Sequence, residues 1–317
     1  MVWSDDRNGR QQLFFARLDQ NGAKVGADIL IDTGTPAATL PDLDWNGAGY
    51  GISFVEEAMP PASVRFVRIG ADGARVGAPH RIGHGSGINS LVWNGQGYAN
   101  AHHSGRNAAA GVDVFFSLLD QDGAPLGPEV DITNHAGNSF IPQLAWTGSI
   151  YGLIFVDSRN PAGTYFARVD ALGAEILDEA LIGPGGGSRI GTNGTSFAIS
   201  WADSSTQAHV ARIDNGGVRL GADVARPRAP SGISGLGSLY ALTWVETASA
   251  GSAGGEVKLA TLGVSDAALG PTIAISTGGR AAVNNVQIVA SARGYALAWP
   301  DQRSGTGEIY FAIASPP

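Results

Sequence analysis

The sequence predicts an all-β protein: a β-propeller of four-stranded blades, seven in number, with incomplete first and last blades. Three observations predict it. An apolar strand closing on an aromatic position recurs at spacings of 43 to 55 residues, a period long for a helical solenoid and usual for a propeller blade. Within each period, short runs of alternating large residues are separated by glycine turns. No segment carries a helical period.

Each unit reads as four strands. The first is seen in Leu43–Trp45, Leu91–Trp93 and Leu144–Trp146, and it ends at Asn46-Gly47, Asn94-Gly95 and Thr147-Gly148. Asn-Gly tolerates positive φ at both positions, as a two-residue hairpin needs. The second strand (GYGISF, IYGLIF, SFAISW, LYALTW, GYALAW) closes at Trp3, Phe54, His102, Phe155, Trp201, Trp244 and Trp299. Most tryptophans lie in strands and read as core. The third strand is LFFARLD, VRFVRIG, VFFSLLD, TYFARVD, HVARID or IYFAIAS, followed by a turn with Gly22, Gly73, Gly123 or Gly173. The fourth (KVGADILID, PLGPEVDIT, ALGPTIAIS) carries the Pro and Gly that an outer edge strand tolerates. The chain opens within a second strand and stops after a third. The expectation is one propeller domain across residues 1–317; the alternative is a fragment of a longer propeller array.

Composition narrows the function classes. Apolar residues make up 44% of the 317, so a sizeable core is available, and the 46 glycines fit many tight turns. Twenty Lys and Arg against 28 Asp and Glu give a net charge of −8. An acidic chain without a basic cluster argues against nucleic acid or an anionic membrane as partner. No apolar run approaches a membrane span. The absence of cysteine excludes disulfides, zinc–thiolate sites and thiol catalysis. No leader-like stretch is read at the start, since Met1 is followed directly by repeat sequence.

Three units are the clearest: WSDDRNGRQQLFFARLDQNG from Trp3, FVDSRNPAGTYFARVDALG from Phe155 and WPDQRSGTGEIYFAIA from Trp299. They resemble the W-x-D-x-R-[NS]-G…[IV]-Y-x-A-R-[LV]-D-x-x-G repeat of bacterial secreted and surface β-propeller proteins. The resemblance implies a propeller and an extracellular or cell-surface location. It carries no catalytic residue across. The Asp-box of sialidases, S-x-D-x-G-x-T-W, is absent.

Two sets of side chains stand out. Two positions past each closing aromatic lie Asp5, Glu56, Ser104, Asp157, Asp203, Glu246 and Asp301. The six acids could hold Ca²⁺ through oxygen ligands or supply carboxylates for acid–base work. Alternatively each caps its own loop, helped by Arg7, Arg159 and Arg303 two residues on. The third unit breaks the pattern at Tyr98–Arg106, YANAHHSGR. Asn100 stands where other units have Ile or Leu, His102 replaces the aromatic, His103 follows it, and Ser104 replaces the acid. Asn100 and His102 share a strand face that is elsewhere apolar. They form a hydrogen-bonded patch, a ligand pocket or a transition-metal site. His84 and His135, read as lying on inter-blade loops, flank the same unit, so Asn100, His102, His103, Ser104, Arg106, His84 and His135 are the ligand-binding candidates.

The loops that join second to third strands vary while the scaffold repeats, and variable loops on a fixed scaffold usually carry function. The leading expectation is a monomeric, non-enzymatic binding module for a glycan, peptide or protein partner. A hydrolase or lyase built around the third unit, from Ser104, His102 or His103 and Asp157, is the second reading. A structural repeat segment of a larger surface protein is the third. The loop Val245–Glu256 is low in complexity and carries no chemistry of its own.

Overall fold

The computed structural model describes the chain except residues 32–36, 58–61, 86, 107–110, 204–206, 227, 248–253, 267, 279, 282–285, 292, 306 and 316–317, and the side chains of 177–178. The chain divides into two compact units, Met1–Ala180 and Leu181–Pro317. Every regular element among the described residues is a strand. The 26 strands form seven antiparallel sheets, five of four strands and two of three. The fold is a seven-bladed β-propeller, with the two shorter blades first and last.

Blade one holds β1 (Val2–Asp5), β2 (Gln12–Leu18) and β3 (Lys24–Leu30). Blade two holds β4 (Ala37–Trp45), β5 (Gly49–Glu57), β6 (Ser63–Gly70) and β7 (Arg75–His84). Blade three is β8 (Asn89–Trp93), β9 (Tyr98–Ser104), β10 (Asp113–Leu119) and the two-residue β11 (Val130–Asp131). Blade four is β12 (Ser139–Trp146), β13 (Ile150–Asp157), β14 (Gly163–Asp170) and β15 (Glu175–Gly183). Blade five is β16 (Gly186–Thr192), β17 (Ser196–Ala202), β18 (Ala208–Asp214) and β19 (Val224–Arg226). Blade six is β20 (Gly232–Leu236), β21 (Leu239–Glu246), β22 (Glu256–Gly263) and β23 (Ile273–Ala274). Blade seven is β24 (Gln287–Ser291), β25 (Gly294–Asp301) and β26 (Glu308–Ala314).

The turns work differently from the two-residue hairpins that Asn-Gly predicts. Only the glycine of each pair has a positive φ, 93° at Gly47 and 97° at Gly95. The preceding Asn has no positive φ, and its Oδ1 accepts main-chain N–H groups, from Ala48 and Gly49 at Asn46 and from Gln96 and Gly97 at Asn94. Four residues lie between the paired Trp45 and Tyr50, and between Trp93 and Tyr98; a side chain closes each turn and glycine supplies the left-handed residue. At the other hairpin the Asp ending the third strand does the same: Oδ1 of Asp19, Asp120 and Asp170 accepts two N–H groups each.

Within each unit the core lies between neighbouring sheets. Leu13, Phe15 and Ile31 of blade one meet Ile52, Phe54 and Val67 of blade two. Val114 and Phe116 of blade three meet Leu153 and Phe155 of blade four, and Val257 and Leu259 of blade six meet Tyr295 and Leu297 of blade seven. The closing aromatics are mostly such packing residues. Trp45, which ends a first strand and is expected in the core, is 41% exposed, with the Tyr50 ring 4.6 Å away.

First strands are also stitched to one another. Asp42 and Asp44 of β4 accept the N–H groups of Leu91 and Trp93 of β8, at 2.7 and 2.6 Å. Ser90 accepts from Leu144 at 3.1 Å, and Ser234 from Ala290 at 2.9 Å. Edge N–H groups that have no ladder partner are satisfied by side chains of the preceding blade. Burial raises the carboxyl of Asp42 to about 6, against the two N–H bonds it accepts and with Asp44 adding to the rise. The residue keeps some surface open, but the carboxyl itself is packed against β8.

Candidate functional site

The Trp-x-Asp-x-Arg sequence builds a clamp at one end of the blade. Alternation places the closing aromatic and the acid on the same face of the second strand. In blade one, Trp3 Nε1 donates to Asp5 Oδ2 at 3.3 Å, while Arg7 donates from its main chain to Oδ1 and from Nε to Oδ2. The guanidinium lies 4.3 Å above the ring of Phe14, which stacks on Trp3. Arg7 holds the Asp5 carboxyl down at about 2. Blade four repeats this with Asp157, Arg159 and Tyr165, and adds a bond from Ser139 Oγ at 2.7 Å. Blade seven repeats it with Trp299, Asp301, Arg303 and Tyr310. For Asp157 and Asp301 burial pushes the carboxyl up, and the arginine bonds outweigh it, leaving both below the usual range.

The remaining acids find partners across the strand. Glu56 pairs with Arg65 at 2.9 Å, Asp203 with His209 at 3.1 Å, and Glu246 faces Lys258 at 3.8 Å. Five of the six thus face an arginine or lysine of their own blade, and Asp203 faces a histidine. Among the described residues no three His, Asp or Glu side chains converge as a metal cluster would.

A second acid completes the clamp, and inspection of the repeats alone passed over it. Arg7 Nη1 reaches Asp28 of β3 at 2.8 Å, and Arg159 Nη1 reaches Glu179 of β15 at 2.6 Å. Arg106 binds Glu129 in the same way. Each of these acids stands three residues before an isoleucine, Ile31, Ile182 or Ile132, a fixed offset that marks them in the sequence.

Blade three keeps the clamp and changes its chemistry. His102 is fully buried and stacks on Phe115, with Arg106 3.5 Å above that ring. Its Nδ1 lies 3.3 Å from Asn100 Oδ1, and its Nε2 is 3.1 Å from Glu129 Oε1, close enough for an ion pair although not aligned as a hydrogen bond. Asn100 Nδ2 donates to Ser90 O and Asn89 Oδ1, and Asn89 also takes the hydroxyl of Ser53. Burial pushes the Glu129 carboxyl up, but His102 and Arg106 outweigh it and hold it below the usual range. Glu129, the counterpart of Asp28 and Glu179, keeps its place in the clamp, while at the first acid's position Ser104 Oγ accepts the N–H of Arg106. Gly83 and Gly85 allow the imidazole in: a Cβ on Gly83 would stand 2.5 Å from its Cε1.

The other candidates lie apart from this relay. His103 packs edge-on against Phe140, and burial, helped by His102, lowers it to about 4. His84, expected on a loop, is the last residue of β7, opposite Ser63. Strand pairing there runs one residue past Gly83, the expected end of the fourth strand. His135 does lie on the loop before β12, but it faces Asp157 at 3.4 Å and Glu179 at 3.7 Å, and so belongs to the blade-four clamp. The residues proposed as a hydrolase set hold different partners: His102 sits with Asn100 and Glu129, Asp157 with Arg159 and Ser139. In blade five a cavity of about 350 Å³ is lined by Gly186, Gly187, Arg189, Ala202, Ala229 and Pro230.

No family model matches the sequence, and no curated protein matches it. Solved structures do resemble it. A lectin from Burkholderia pseudomallei superposes with a TM-score of 0.66 at 12% identity, covering 99% of this chain and 92% of the lectin. A neuraminidase-like protein of A/little yellow-shouldered bat/Guatemala gives 0.60 at 9% identity, covering 90% and 95%. The β-propeller domain of the Trilobed protease from Pyrococcus furiosus, described as having an open velcro topology, gives 0.54 at 11% identity, covering 98% and 87%. At these identities the likeness is one of fold: this chain shares the β-propeller architecture.

Proposed function

We propose that the chain is a non-catalytic recognition module that binds a glycan, peptide or protein partner through the loops joining second to third strands, outside a bacterial cell. The observation that carries this reading is the engagement of the ionisable groups. Asp5, Asp157 and Asp301 are tied to arginines of their own blade, Glu56, Asp203 and Glu246 face Arg65, His209 and Lys258, and His102 is fully buried between Asn100 and Glu129. General acid–base work needs such a group within reach of a substrate. What varies instead is the loops, from five residues at 158–162 to nine at 247–255, above a clamp that repeats. Extracellular placement rests on the resemblance of the repeats. A lectin with the same architecture supports a binding role.

Arrays of immobilised glycans and peptides test it. Saturable binding to one ligand class is expected, lost when residues 247–255 are replaced by a short Asn-Gly turn or residues 107–110 by a Gly-Ser stretch, changes that keep every clamp arginine, with the melting temperature kept. A ligand whose binding ignores every loop replacement contradicts the reading.

A further inference from the structure

Arg226, the last residue of β19 in blade five, is a buried cation that meets no acid. It is 3% exposed, and its Nε and Nη1 reach no hydrogen-bond acceptor. Among the described residues it forms no ion pair, whereas Arg7 and Arg159 each hold two carboxylates. Arg212, equally buried, gives its Nη groups to the carbonyls of Gly263, Asp266 and Ala222. Arg226 lies instead 4.0 Å from the ring of Trp244, on β21 of blade six. A ring attracts the cation yet supplies no oxygen acceptor. Burial lowers the Arg226 guanidinium to about 10. Leaving a buried cation without a counter-charge is costly, and a bound anion removes that cost.

Small residues make room beside it. Gly186, Ala202, Ala208 and Arg226 are cross-strand partners in one row of blade five, so they share a face. Gly186 and Ala202 line the cavity of about 350 Å³, with Arg189 and the Ala229-Pro230 segment that leads into blade six. The next row on that face holds Arg189, Ser200, Val210 and Val224, and its two valines pack against Ile233 and Leu242 of blade six. The cavity thus lies between blades five and six, within the second compact unit. Arg189 Nε donates to the carbonyl of Ser231, next to Pro230, at 2.7 Å. The hydroxyls of Ser200 and Ser231 are buried and make no hydrogen bond. Two cations and two hydroxyls therefore gather here. The acids nearest in sequence, Asp203 and Glu246, face His209 and Lys258.

We propose that the space between blades five and six binds a small organic acid, whose carboxylate meets Arg226 and Arg189. A guanidinium is weakly hydrated and forms strong charge-assisted hydrogen bonds with carboxylates, so it suits a buried anion. Trp244 holds the Arg226 guanidinium in place, and the hydroxyls of Ser200 and Ser231 supply neutral polar contacts. The cavity volume is within the range of small-ligand pockets. Apart from Arg189 its walls are Gly, Ala and Pro, which fits a compact carbon skeleton better than a hydrated ion. These groups stand on strands and on the segment joining two blades. The site thus goes beyond recognition by the variable loops and does not depend on it.

The test titrates the full chain with glucuronate, glucose and sodium sulfate by calorimetry. Glucuronate is expected to bind saturably and one-to-one, sulfate to compete with it more weakly, and glucose not to bind. Arg226→Gln should weaken glucuronate by about tenfold or more, as loss of a charged hydrogen bond does. Ala202→Leu, which fills the cavity, should abolish binding while the melting temperature holds, so the outcome does not hang on whether Arg226→Gln folds. Any of three results overturns the proposal. One is no saturable heat with glucuronate, or the same heat with glucose. Another is glucuronate bound no more tightly than sulfate, which reduces the site to one for a bare ion. The third is wild-type affinity for glucuronate in either variant.

Discussion

Nε2 of His102 lies 3.1 Å from Oε1 of Glu129, within a chain of polar groups that runs from Ser53 through Asn89 and Asn100 to Arg106. Where other blades carry a tryptophan or phenylalanine and an acid two residues on, blade three has an imidazole and Ser104, and keeps the second acid, Glu129, that matches Asp28 and Glu179. Glu129→Ala leaves both His102 and Arg106 without their carboxylate. We expect a loss of about 1–3 kcal/mol, read as a lower urea midpoint at unchanged slope.

Clamp arginines should matter in proportion to the burial of their acids. Asp157 is 1% exposed, and Arg159→Ala strands its charge, at a cost of about 3–5 kcal/mol. Arg7 is 43% exposed at its side chain, and Arg7→Ala should cost under about 1 kcal/mol. Chemical denaturation of the two variants checks the contrast.

Close packing gives a third expectation. A Cβ at Gly83 would stand 2.5 Å from His102, and one at Gly183 would stand 2.2 Å from Trp201 Nε1. Gly83→Ala and Gly183→Ala should each destabilise by about 1–3 kcal/mol through overpacking. Gly127→Ala, with open space around it, should be near neutral by the same thermal melts.

Stability should depend on pH in two opposed windows. The folded carboxyl of Asp5 is held down at about 2 against an ordinary 3.8, so its contribution is present above pH 3.8 and lost as pH falls toward 2. Asp157, Asp301 and Glu129 act in the same direction. Asp42 is raised to about 6, so the folded state binds its proton more tightly, and stability falls as pH rises from about 4 to about 6. Asp42→Asn should flatten the upper window and leave the lower one, as urea midpoints at pH 3, 4 and 6 will show.

The inner stitches predict a local effect. Ser90→Ala removes the acceptor of the Leu144 N–H, and hydrogen exchange at that amide should speed up while the amide of Leu153, in the adjacent strand, stays protected.

The blades were legible because each strand obeys a two-residue period and each turn carries its glycine. The count of complete and incomplete blades followed from the same pattern. Misreadings arose where one side chain serves two purposes. Asn46 and Asn94 look like hairpin residues, yet they act as acceptors while Gly47 and Gly95 take the positive φ. The acids after each aromatic were recognisable as a set, and their geometry favours the loop-capping alternative. Asp28, Glu129 and Glu179 were missed because they lie on or next to the weakest strand, and only the contact with arginine reveals their shared offset. His135 sits beside blade three in sequence but serves blade four, because loop contacts do not follow from sequence distance.

The direct test of the recognition reading is the fate of a bound ligand. A ligand taken from the arrays is incubated with excess protein, recovered, and weighed by mass spectrometry, with wild type compared with Asp157→Asn. We predict a ligand recovered at unchanged mass and released intact by both proteins. A cleaved or otherwise altered ligand, with the change abolished by Asp157→Asn in a protein that still folds and binds, would contradict the account.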